Sequence, residues 1–181
     1  MRQSLRSFND GDIPLRVILN LLLIFIVLIA GCAGSGSTST VTASEQKKSI
    51  NDQEKVNHKI LDSLQSRRYA DAIQLSRTAG MPKAETDFAV GEIILQGLAD
   101  PDATQYPVES FDDGLALIEG SAMAGHRQAI SSLAATFYTG IRQGREGVVL
   151  IAPNPQLSEC WNATKVKKEL ASSCVQMRLK K

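Results

Sequence analysis

The sequence predicts an all-α fold, and three observations carry that prediction. Aromatic residues make up only 5% of the 181-residue chain, while alanine, leucine and isoleucine are plentiful, a composition that suits closely packed helices better than a sheet of aromatic and β-branched residues. From Ser49 onwards apolar residues recur at intervals of three and four, the spacing that lines one face of a helix. Glycine and proline stand where the spacing breaks, as at Gly80-Met81-Pro82, a helix stop followed by a residue that cannot continue a helix.

Taken in order, Ile60, Leu61 and Leu64 mark a first helix that breaks at Arg67-Arg68. Tyr69, Ala72, Ile73 and Ser76 mark a second, and Ala84, Phe88, Gly91 and Leu95 a third. Short connections make such neighbours antiparallel. Leu98 to Pro107 holds two prolines and reads as a loop. Phe111, Leu115, Ile118 and Ala122 then define a fourth helix, with Asp112 and Asp113 in its first turn, where acids offset the helix dipole. Gly125 ends it, and Ala129, Leu133 and Phe137 mark a fifth.

The N-terminal segment has a different character. Arg2, Arg6 and Arg16 precede an apolar run, Val17 to Ala30, broken only by Asn20, the charge-then-apolar order of a secretion signal. About 14 such residues at ~1.5 Å rise reach only ~21 Å, short of the ~30 Å hydrocarbon core. The run ends in Leu28-Ile29-Ala30-Gly31-Cys32, which resembles the lipobox of bacterial lipoproteins. That resemblance implies cleavage before Cys32 and a diacylglycerol on its thiol; the competing reading is an uncleaved signal anchor. Ala33, where many inner-membrane lipoproteins carry aspartate, implies by the same resemblance an outer-membrane location facing the periplasm. Ala33 to Ser44 is almost wholly small and hydroxylated and reads as a flexible tether of about 12 residues with a reach of some 20 Å. The expected organisation is therefore a signal peptide at 1–31, a lipidated N-terminus and tether at 32–48, and a helical domain at 49–181.

Phe111 to Gly140 resembles, without a gap, the Sel-one-like repeat of the tetratricopeptide class. Leu115, Ser121-Ala122, Gly125-His126, Ala129, Leu133-Ala134, Phe137-Tyr138 and Gly140 occupy its signature places, while Leu117 and Ala134 depart from its usual residues. A degenerate first copy is read from Tyr69, Ala72, Ile73 and Leu75 together with Val90-Gly91, Ile94-Leu95 and Gly97. The resemblance implies a short α-solenoid of antiparallel helix pairs, roughly six helices in all, closed by an atypical C-terminal cap. Proteins of this kind bind other proteins through the first helix of each pair, and the positions this points to are Asp71, Gln74, Asp112 and Glu119.

With Cys32 assigned to lipid, Cys160 and Cys174 remain as an even pair in an exported, oxidising setting, and a disulfide between them is expected. The alternative is two buried thiols. Fourteen residues of unbroken helix would hold them ~21 Å apart, so the bridge requires a bend near Trp161 to Thr164.

No catalytic constellation emerges. The two histidines, His58 in a polar helix and His126 beside the turn glycine, read as a solvated residue and a helix-start residue. Phosphate loops, dinucleotide motifs and metal-ligand spacings are missing. Lysine plus arginine number 20 against 19 acids, which gives no field towards nucleic acid. Lys165, Lys167 and Lys168 form a weakly basic stretch near the C-terminus. The expected function is that of a membrane-anchored adaptor or assembly factor in the bacterial cell envelope, binding an envelope protein, without enzymatic activity, cofactor or small-molecule substrate. An envelope enzyme, an enzyme inhibitor or a lipoprotein that binds cell-wall polymer is the alternative.

Overall fold

The computed structural model describes residues 43–143 and 147–180. Among them are seven α-helices: α1 (Ala43–Gln65), α2 (Tyr69–Thr78), α3 (Lys83–Ala99), α4 (Phe111–Met123), α5 (Arg127–Thr139), α6 (Pro155–Thr164) and α7 (Ala171–Leu179). The first five lie where the apolar spacing puts them. α1 starts earlier than expected, so residues 43–48, assigned to the tether, are helical. A two-stranded antiparallel ribbon, β1 (Ile141–Arg142) and β2 (Val149–Ile151), interrupts the helical pattern before α6. The lipobox and Cys32 lie outside the described residues.

Each helix boundary has a local cause. Arg67 takes a left-handed conformation, φ 56°, between α1 and α2. Gly125, φ 91°, makes the reversal from α4 to α5, a conformation that glycine adopts without steric cost. α4 opens with a capping box: the Ser110 hydroxyl accepts from the Asp113 amide at 3.2 Å, and the Asp113 carboxylate accepts from the Ser110 amide at 2.9 Å. The Ser110 hydroxyl also donates to that carboxylate at 2.7 Å, and this bond first, the Ser110 amide second, hold the Asp113 carboxyl below its ordinary pKa.

Consecutive helices pack antiparallel. Ser121 of α4 donates to the carbonyl of Ala84 near the start of α3, at 2.7 Å. At the other end of the pair, Gly114 meets Ile94 and Leu95. Two glycines set how closely these helices cross: a Cβ on Gly91 would lie 2.7 Å from the Gly114 carbonyl oxygen, and one on Gly114 would lie 2.9 Å from Ile94. α5 and α6 run antiparallel too, with Ser158 donating to the Ala134 carbonyl at 2.8 Å and the Asn154 amide donating to that of Phe137 at 2.6 Å.

The main core lies among α4, α5, α6 and α7, where Ile118, Leu133 and Trp161 are fully buried, and α3 contributes Leu95 and the partly buried Phe88. The α3–α4 loop has a separate role. It folds back to the α1–α2 corner, where the Tyr69 amide donates to the Gln105 carbonyl and the Thr104 amide to that of Arg67, both at 3.0 Å. The buried Tyr69 hydroxyl donates to Asp100 at 2.7 Å. Burial first, and that carboxylate second, push its pKa well above the ordinary phenol value. The Arg67 guanidinium reaches Asp102 at 2.6 Å and Asp100 at 3.6 Å, completing a polar latch.

At the C-terminal end, Cys160 and Cys174 are joined by a disulfide with their Cα atoms 5.7 Å apart. The bend it needs comes just after the expected place, because α6 continues through Thr164 and the chain turns at 165–167 before a 3-10 turn, Lys168–Leu170.

Candidate functional site

Between α1 and α2 lies an open recess of about 400 Å³, lined by Lys59, Asp62 and Ser63 of α1, by Arg68, and by Asp71, Gln74 and Leu75 of α2. The phase of α2 explains its composition. Tyr69, Ala72, Ile73 and Ser76 turn into the core, which leaves Asp71, Gln74 and Leu75 on the outer flank of α2. Ile60 and Leu64 anchor α1 from below in the same way.

The recess carries two cations and two acids, an amide, a hydroxyl and one aliphatic side chain. The Arg68 guanidinium stands 3.4 Å from the Asp71 carboxylate, one turn along the chain. Gln105 of the returning loop, oriented with its amide nitrogen towards Asp71, donates to the same carboxylate at 3.1 Å. Asp71 is thus oriented from two sides and stays half exposed. Charges of both signs stand beside a single aliphatic side chain, Leu75. No histidine or cysteine lines the recess, and among the described residues no three histidine, cysteine or acidic side chains gather as a metal-binding set.

The four positions chosen from the sequence separate into two groups. Asp71 and Gln74 come together in the recess, whereas Asp112 and Glu119 lie on α4 and face α7. Glu119 is not available to a partner, which corrects the expectation. It is 2% exposed and held by Arg178 of α7 through two hydrogen bonds, Nε to Oε1 at 2.7 Å and Nη2 to Oε2 at 3.0 Å. Arg178 also reaches Asp112 at 3.1 Å, although that carboxylate stays largely in solvent. The Glu119 carboxylate raises the pKa of the Arg178 guanidinium, with burial acting against it. A charged residue in the middle of a helix reads as exposed until the side chain that covers it is known, and here that side chain lies 59 residues away. The Arg67–Asp100–Asp102 latch was missed in the same way. Its sequence signal is an arginine pair at a helix break and a later Asp-Pro-Asp turn.

A second polar seam runs between α3 and α5. The Ser132 hydroxyl donates to the Glu92 carboxylate in a short hydrogen bond, and burial pushes the Glu92 pKa up against that bond. The His126 ring packs on Phe88 at 4.9 Å, and its buried Nδ1 finds no hydrogen-bond partner among the described residues. Burial lowers the His126 pKa, with Glu85 opposing. His126 starts α5, as expected, but makes no side-chain cap bond.

Among the described residues no helix is long and apolar enough to cross a membrane. No family model, curated protein or solved structure matches the chain.

Proposed function

We propose that the chain is a lipid-anchored docking protein of the bacterial cell envelope, held to the outer membrane through Cys32 and binding a protein partner in the α1–α2 recess. The observation that carries this reading is the recess: Asp71 and Gln74, chosen from sequence as contact residues, lie there beside Lys59, Asp62 and Arg68. The lipobox resemblance supports the anchor, and the Ala33 position supports the outer membrane. The Sel-one-like pattern of 111–140, together with the antiparallel packing of α3 on α4 and the glycine reversal at Gly125, supports a short solenoid whose outer helices serve recognition. Partner specificity then comes from charge pairing at Asp71 and hydrogen bonding at Gln74, with Leu75 excluding water.

Placing a photo-crosslinking residue at position 74 in growing cells tests this directly. The expected result is one recurring protein adduct, reduced at least ten-fold by the charge reversal Asp71→Arg and unchanged by Asp112→Asn. No recurring adduct, or one indifferent to Asp71→Arg, overturns docking at this recess. The anchor is tested separately with Cys32→Ser, which should leave the precursor unprocessed and without lipid. A variant with the same mature size and lipid content as the unsubstituted chain would reject it.

A further inference from the structure

The turn between α6 and α7 holds an aliphatic side chain in water among lysines. Val166 is 86% exposed, and Lys165, Lys167 and Lys168 around it are exposed as well. The turn is braced. The amides of Val166 and Lys167 donate to the Ala163 carbonyl at 3.1 and 3.0 Å, the Leu170 amide donates to that of Lys167 at 3.0 Å, and the Cys160–Cys174 bridge ties the helices on either side. Lys165 donates to the Asn162 side chain at 2.9 Å. None of the three lysines enters an ion pair among the described residues, and Glu169 is the one acid that adjoins them. Lys168 extends the surface to the α4–α5 reversal: its ammonium lies 3.5 Å from where a Cβ on Gly125 would sit. Two residues before that glycine, Met123 is 53% exposed.

Aliphatic side chains ringed by cations on a fixed turn match a surface that is anionic outside and apolar beneath. A phospholipid bilayer is such a surface: its phosphates take the ammonium groups and its acyl boundary takes the valine. An anionic polysaccharide has no apolar interior and leaves Val166 without a role.

We propose that Lys165–Lys168 is a membrane-contact turn that lays Val166 into the headgroup layer of an anionic phospholipid bilayer, and so sets which way the anchored domain faces. This rests on the anchor reading only for what brings the bilayer within reach. Each lysine near such a surface favours contact by about five-fold, so neutralising all three should weaken it by roughly a hundred-fold.

The full chain, purified from membranes with the substitution Val166→Trp, is reconstituted in vesicles of brominated phosphatidylglycerol or brominated phosphatidylcholine. The native Trp161 is fully buried and reports the fold. The expected result is quenching of the added indole in phosphatidylglycerol vesicles, abolished by high salt or by Lys165→Gln/Lys167→Gln/Lys168→Gln. The phosphatidylcholine vesicles should give little quenching. An unquenched indole on a chain that floats with phosphatidylglycerol vesicles overturns the proposal, as does quenching equal in both lipids or unaffected by the triple substitution. Lysine-dependent retention on an anionic polysaccharide column, without quenching, also overturns it and assigns the turn to polymer. Failure of the anchor reads out elsewhere, as a chain whose size and lipid content are the same with and without Cys32→Ser.

Discussion

The two halves of the domain are secured by different means. Around α1 and α2 the buried Ile60, Leu64 and Ile73 are supplemented by polar ties: Arg67 to Asp102, Tyr69 to Asp100, and loop amides to helix carbonyls. Around α4 to α7 they are apolar and covalent, with Trp161 and Leu133 fully buried, a disulfide, and the Arg178–Glu119 pair closing over α4. The recess lies in the first half. A surface kept together by latches can yield locally to a partner, whereas a stapled core cannot do so without losing stability. The close crossing of Gly91 on Gly114 joins the halves.

The largest test of this contrast is removal of the staple. Cys160→Ser/Cys174→Ser should cost about 3 kcal/mol of unfolding free energy, measured by denaturant titration, for a loop of 14 residues. A loss under about 1 kcal/mol would mean that packing alone secures the C-terminal half. The next is the latch. Tyr69→Phe removes a hydrogen bond to a carboxylate and should cost about 1.5 kcal/mol, with hydrogen exchange accelerated in α1 and α2 but not in α6. Uniform acceleration would erase the distinction between the halves.

The smallest concerns the α3–α5 seam. Burial lowers the His126 pKa, so between that value and about 6.5 the unfolded chain binds more protons than the folded one, and stability falls as pH drops through this window. Glu92, with a raised pKa, contributes the opposite slope above its ordinary value. Melting temperatures are therefore compared in a Glu92→Gln background with and without His126→Gln. The acid-side decline should shrink when the histidine is absent, and an unchanged decline would exonerate it.

Helix positions were legible because their signals are local. Gly80-Met81-Pro82, Gly125 and the Ser110–Asp113 box act within a turn of the residues they affect. The cysteine pairing was legible too, because exclusion of Cys32 left a single pair. The ribbon at Ile141–Ile151 was not, since strands of two and three residues have too short a period to detect. The helical start at Ala43 was hidden by small and hydroxylated residues that composition assigns to a tether. Of the four residues that the repeat resemblance offered for contact, Asp71 and Gln74 came to line the recess. Glu119 did not, because its burial depends on Arg178, and no pattern within α4 reports a partner so far along the chain.

That distant pairing has a consequence for biogenesis. During synthesis α4 emerges long before Arg178, so Glu119 has no countercharge until 59 further residues have been added. An unpaired carboxylate resists burial in a closing core. The second half of the domain should therefore stay open until α7 arrives, while α2 and α3 can already have docked. Arg178 acts in this sense as a checkpoint, read by the fold itself, that couples burial of α4 to arrival of α7.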